Sequence, residues 1–191
     1  MAAASNFKNM VLCLTGVCLA CSAILAGVYA VTARPIAATN EALLKASIGA
    51  VLPEGAEIED PATVTVGGQS YTYYRATQGG NPVGWAVRSA AVGFGGPLTL
   101  MVGILRDGTV YGTSVLSHSE TPGLGAKCTS DERFVAQWKG FDPAQKILSV
   151  KKDGGDVDAI TASTITSRAY TQAVKNAVDV YNQLCEEEKN D

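Results

Sequence analysis

Residues 10–31 form an unbroken run of 22 positions without a charged side chain. Where water is absent, the backbone N–H and C=O groups of such a run must pair within it, and a helix does this locally. At a rise of about 1.5 Å per residue the helix reaches about 33 Å, enough to cross a hydrocarbon core. Two readings stand, a retained membrane anchor and a secretion signal cut near Val31-Thr-Ala33. The anchor is favoured, because the run exceeds a usual signal core and residues 37–48 can continue it as a helix. Cys13, Cys18 and Cys21 fall inside the run and read as small apolar residues rather than as a redox or metal pair. Lys8 precedes the span and Arg34 follows it, so charge alone does not orient it.

Past the span the hydrophobic period changes. Residues 40–50 read as a short helix and 53–61 as a linker rich in breakers. Alternation typical of strands follows at 63–66 and 71–77, around the hairpin signal Gly67-Gly68. A turn over 79–82 leads into a strand at 83–90. Strands at 98–105 and 109–116 flank Asp107-Gly108. Residues 130–139 read as a helix with Phe134, Val135 and Trp138 on one side, and 147–150 as a further strand. Tyr170, Ala173, Ala177, Tyr181 and Leu184 recur at steps of three and four, which predicts an amphipathic helix. Hairpins followed by helices specify an α+β fold with an antiparallel sheet and flanking helices. Trp85 and Trp138 sit in apolar periodic runs and are expected in its core. The expected organisation is a short segment at 1–9, a transmembrane helix at 10–32, a helical linker at 33–62, one soluble domain at 63–185 and a frayed polar tail at 186–191. All 18 acids and 14 of the 15 basic residues lie after residue 32, a net of −4, which argues against nucleic acid as a partner.

The chemistry concentrates in two segments. From Asp158 the chain reads Asp-Ala-Ile-Thr-Ala-Ser-Thr-Ile-Thr-Ser, placing hydroxyls around one turn just before the amphipathic helix. Such a run is an N-cap, and the same free N–H groups with the helix dipole also suit a phosphate. The second segment, from Ser117, reads Ser-His-Ser-Glu-Thr-Pro-Gly-Leu-Gly-Ala-Lys. Thr121-Pro122-Gly123 is a tight turn, Leu124 can lie against an aromatic ring and Lys127 can stabilise negative charge beside it. His118, the sole histidine, reads as a strand-end residue shaping this loop. Gly93-Phe-Gly-Gly-Pro97 is either a bend between strands or a close approach to a ligand or neighbouring subunit. No G-x-S-x-G elbow, P-loop, dinucleotide fingerprint or iron–sulfur spacing is present in the sequence.

Together with the apolar span, these segments resemble the covalent-flavin (G-type) subunit of the Rnf electron-transport complex. Its cousin is the C-type subunit of the sodium-pumping NADH:quinone reductase. The family pattern Asp-x-x-Ser/Thr-Gly-Ala-Thr/Ser falls on Asp158, Thr161 and Thr164, with Ala162 at the usual glycine and Ser163 at the usual alanine. The resemblance implies FMN bound through a phosphoester to Thr164, with Thr161, Ala162, Ser163 and Ile165 around it. It implies that Glu120, Thr121, Leu124, Gly125 and Lys127 line the flavin site. It further implies maturation by a flavin transferase that takes FAD, releases AMP and requires magnesium, with Asp158 as a recognition residue. Expected partners are the other membrane and redox subunits of the complex and the lipid bilayer. The expected placement is a single pass through the bacterial inner membrane, with the soluble domain on the periplasmic or outer side. There Cys128 and Cys185 are either a disulfide or free thiols. Because Ala162 and Ser163 depart from the pattern, a non-flavinylated structural subunit is the alternative. The equivalent quinone-reductase subunit and an extracellular flavin domain acting without Rnf also stand.

Overall fold

The computed structural model describes residues 7–190. They fall into two units, one ending at Leu43 and one beginning at Leu44. The first is the greater part of a single helix, α1, spanning Phe7–Ala50 with Pro35 inside it. By length and composition α1 is a candidate membrane span, and Leu14, Leu19, Ile24 and Leu25 on it are all exposed. The separate short helix expected at 40–50 is the end of this continuous one.

The second unit is a six-stranded antiparallel sheet with helical segments, the expected α+β class. Its strands are β1 (Glu57–Ile58), β2 (Ala62–Val66), β3 (Gln69–Gln78), β4 (Asn81–Val92), β5 (Pro97–Leu105) and β6 (Val110–Ser117). The order β1-β3-β4-β5-β6 has β2 also pairing with β3, so β1 and β2 share one edge of that strand. Thus the expected linker at 53–61 contributes a sheet strand. The turn expected over 79–82 is narrower: Gln78 already pairs with Asn81, and Asn81 and Pro82 belong to β4.

Two helical elements follow the sheet, α2 (Glu132–Ala136) and α3 (Thr164–Asn190). Asp131 caps α2, its carboxylate accepting from the N–H groups of Arg133 and Phe134. The helix expected over 130–139 is shorter because Trp138 and Lys139 donate to carbonyls three residues back, which tightens the chain out of α geometry. The strand expected at 147–150 does not form. Ile147 N–H donates to the Asp156 carboxylate, and Val157 N–H donates to Ser149 O, so a local return of the chain takes these groups. The tail expected to fray is helical as far as Asn190, and Glu188 pairs with Arg75 of β3. Glu and Lys are strong helix formers, so a polar composition here marks exposure rather than disorder.

The core lies between the sheet and α3. Trp85, Val87, Leu98, Leu100, Val102 and Ile104 meet Tyr170, Ala173, Ala177, Tyr181 and Leu184, all buried. Tyr170 stacks on Trp138 at 5.4 Å between ring centroids, takes Phe134 edge-on at 5.0 Å, and donates its hydroxyl to Thr113. Each such side chain contributes about 1.5–3 kcal/mol on burial. This cluster fixes the start of α3, where the hydroxyl run lies. On the other face of the sheet Ile48, Val51 and Leu52 cover Ala76, Ala86 and Met101.

That second face depends on Gly103, where a Cβ would overlap the carbonyl of Val51. Because the obstruction is backbone, Gly103→Ala is expected to destabilise the domain by about 1–3 kcal/mol. Thermal unfolding of the full chain in detergent checks this, and an unchanged midpoint would contradict the packing described.

Candidate functional site

The loop from Ser117, the hydroxyl run from Asp158 and the Gly93–Pro97 bend converge at one end of α3. Glu120 is the junction. It lies in the loop after β6, is 6% exposed, and extends its carboxylate inward. Oε2 accepts from the Thr166 hydroxyl at 2.8 Å, and Oε1 accepts from Gly95 N–H at 3.3 Å. One side chain therefore ties the 117–127 loop to the first turn of α3 and to the bend between β4 and β5. That bend closes on itself through Gly93 N–H to Gly96 O. Gly125 completes the junction, because a Cβ there would collide with Glu120 and lie 2.6 Å from Thr166 Oγ1. His118 supports the loop by accepting from Glu120 N–H through Nδ1. Beneath it, burial first and the Glu120 charge second push the Cys128 thiol up to about 11. Cys128 and Cys185 are both free thiols.

The start of α3 is unusual in its backbone. Ala162 has φ +62°, the one positive φ outside glycine among the described residues. This explains why glycine suits the position, since a Cβ in the left-handed region costs about 1–2 kcal/mol. The turn drives Ser163 inward and leaves Thr164 facing out. Ser163 is 7% exposed, and its hydroxyl has no hydrogen-bond partner. Its carbonyl accepts from Ser167 N–H at 3.0 Å, the first helical bond. The free donors are thus those of Thr164, Ile165 and Thr166. Ser167 turns its own hydroxyl inward, accepting from Ile160 N–H and donating to Ser163 O.

Between these elements lies a cleft of about 350 Å³. Of the residues singled out from sequence, Glu120, Thr121, Leu124, Gly125, Ala162, Ser163, Thr164 and Ile165 line it. Three do not. Thr161 and Lys127 are exposed outside the lining. Asp158 is exposed as well, its carboxylate 2.7 Å from Lys151 Nζ and its backbone bonded to the Gln137 amide. The cleft adds Phe94 and Thr166. Phe94 is 70% exposed, and with the half-exposed Leu124 and Ile165 it forms an apolar rim. Lys152, also absent from the sequence selection, donates to Thr164 Oγ1 at 3.2 Å. Nearby, Arg168 grips Asp153 with two bonds of 2.7 Å. Those bonds lower the Asp153 carboxyl below the usual range and raise Arg168.

An FMN group fits this donor set. A flat apolar rim suits a ring system, while a hydroxyl, free helix N–H groups, a lysine and an orphaned buried hydroxyl suit a phosphate.

Residues 93–179 match the family model described as the FMN-binding domain. The chain is 46% identical over 114 residues to the G-type subunit of the ion-translocating oxidoreductase complex of Shewanella baltica, covering 57% of this chain and 54% of that one. It thus spans about half the length of that relative. It is 35% identical over 169 residues to the G-type subunit of the proton-translocating ferredoxin:NAD(+) oxidoreductase complex of Clostridium ljungdahlii, covering 87% of this chain and 86% of that one. Among solved structures, the C-type subunit of the Na(+)-translocating NADH-quinone reductase from Parabacteroides distasonis aligns with a TM-score of 0.49 and 25% identity, over 65% of this chain and 76% of that one.

Ala162→Gly is expected to raise the stability of the domain by about 0.5–1 kcal/mol, since relief of the left-handed strain exceeds the added freedom of the unfolded chain. Urea unfolding measures it, and a destabilised variant would contradict a strained turn at this position.

Proposed function

Since the chain belongs to the family of G-type subunits of ion-translocating oxidoreductase complexes, we propose that it is a membrane-anchored electron carrier whose FMN is joined by a phosphoester to Thr164. The observation that carries this reading is the contrast between two adjacent hydroxyls. Both residues border the cleft, but Thr164 is half-buried whereas the Ser163 hydroxyl is closed off from solvent. When bound, FMN supplies reversible electron transfer, and the protein positions it and tunes its potential.

The chain's own groups divide this work. The N–H groups of Thr164, Ile165 and Thr166, at the positive end of α3, face the phosphate. Phe94, Leu124 and Ile165 offer apolar surface to the ring. Glu120 holds the loop that carries Thr121 and Leu124 against the helix start. Maturation requires a flavin transferase. In that step Thr164 Oγ1 attacks the FMN phosphorus of FAD, the hydroxyl proton leaves to a base of the transferase, and AMP departs. Asp158, exposed beside the site, is a recognition residue for that enzyme.

The helix Phe7–Ala50 is the anchor, a single pass with the flavin domain on the periplasmic or outer side of the inner membrane. The partners are the other membrane and redox subunits of the complex. Ferredoxin and NAD(+), named in the Clostridium protein's description, are reactants of a whole complex. This chain passes electrons between its redox centres. A non-flavinylated structural subunit is the second reading, favoured by Ala162 and Ser163 at positions where the family has glycine and alanine.

Intact mass distinguishes the two after coexpression of the full chain with a flavin transferase. The carrier gains FMN minus one water, and Thr164→Val abolishes the gain. No gain in the wild type would leave the structural subunit.

A further inference from the structure

Three consecutive residues of a helical turn, Lys151–Asp153, reach toward the start of α3. Lys151 pairs with Asp158, and Asp153 is gripped by Arg168. Lys152, between them, donates to the Thr164 hydroxyl. Lys151 and Arg168 therefore each bond to a carboxylate, while Lys152, close enough for its charge to act on Asp153, gives its hydrogen bond to a neutral oxygen. The closest carboxylate in sequence, Asp153, has both oxygens committed to Arg168. The same corner holds the partnerless Ser163 hydroxyl, 7% exposed and lining the cleft. It also holds the three free N–H groups of the first turn of α3. A cation set on a neutral oxygen and free N–H donors together complement an anion built on that oxygen.

We propose that Lys152 is the positioning residue of the phosphoester site: it orients the Thr164 hydroxyl for phosphoryl transfer and then pairs with the phosphodiester anion formed there. This inference rests on the phosphoester reading above. By occupying one lone pair of Oγ1, the ammonium fixes the hydroxyl and leaves the other lone pair for phosphorus. The Oγ1–P bond forms as the P–O bond to AMP breaks. The hydroxyl proton goes to a base of the transferase, AMP leaves with the bonding electron pair, and nothing is oxidised or reduced. Charge gathering on the phosphoryl oxygens then lies beside Lys152. Because Lys152 is exposed, solvent and salt weaken the attraction. The lysine is thus an accelerator rather than an absolute requirement.

The test is a time course of flavin loading, read by intact mass, on the full chain in detergent with FAD, magnesium and a flavin transferase. Wild type, Lys152→Met, Lys152→Arg and Thr164→Val are compared. Lys152→Met is expected to load about tenfold more slowly, the scale of one lost charge-assisted contact, and Lys152→Arg to recover most of the rate. Wild-type loading should fall with added salt, and that dependence should flatten in Lys152→Met. Once loading is complete, the ³¹P resonance of bound FMN should differ between wild type and Lys152→Met. A lysine read only by the transferase would leave that resonance in place. Loading of Lys152→Met at the wild-type rate, or an unmoved resonance, overturns the role of Lys152 while leaving the phosphoester intact. Slowing of both lysine variants together with a lowered unfolding midpoint assigns Lys152 to the fold and also overturns it. Absence of any mass gain in the wild type brings down the phosphoester reading, and the role of Lys152 with it.

Discussion

The site depends on one buried carboxylate. Glu120 sits 6% exposed between a loop, a bend and a helix start, and its two oxygens are divided between Thr166 and Gly95. A carboxylate removed from water is costly unless donors replace its hydration, and here each donor comes from a different element. The arrangement makes those elements interdependent. Leu124 and Thr121 reach the cleft because Glu120 anchors their loop, and Phe94 overhangs it because the adjacent bend is tied to the same group. The close fit at Gly125 leaves the carboxylate no room to move away.

A second constraint acts on which hydroxyl is presented. The left-handed turn at Ala162 gives the next two residues different exposure, with the Ser163 hydroxyl buried and Thr164 half-open at the cleft. Backbone conformation, rather than the intrinsic reactivity of serine against threonine, then selects the acceptor. The turn is strained with alanine in it, and the aromatic stack of Trp138, Tyr170 and Phe134 holds the helix whose start must follow it. Strain at the site is offset by burial in the core.

Much of this was legible in the sequence, for identifiable reasons. The hairpins at Gly67-Gly68 and Asp107-Gly108 could be placed because turn chemistry and period-two alternation coincide there. The inner face of α3 followed from its spacing. The segment 147–150 misled because four apolar residues do not say what their backbone will pair with, and the Asp156 side chain took that role. The polar composition of the last turn of α3 points to a frayed tail, yet Glu188 there has a partner in Arg75. At the site, Glu120, Thr121, Leu124 and Gly125 of one motif and Ala162 to Ile165 of the other line the cleft, because each motif is local in sequence. Phe94 lies in the Gly93–Pro97 bend, which the sequence leaves open between a turn and a ligand approach, and Lys152 reaches the site by a tertiary contact with no spacing signature. Lys127 fits the loop motif, yet its side chain lies exposed outside the cleft.

The central claim is that the Ala162 turn presents Thr164 alone for modification. The most direct measurement is fragment-ion mapping of the tryptic peptide 153–168 from the flavin-loaded chain. That peptide contains Thr161, Ser163, Thr164, Thr166 and Ser167 as competing hydroxyls. The account predicts FMN on Thr164 and on none of the others. FMN on Ser163, whose hydroxyl is buried in this structure, would contradict it.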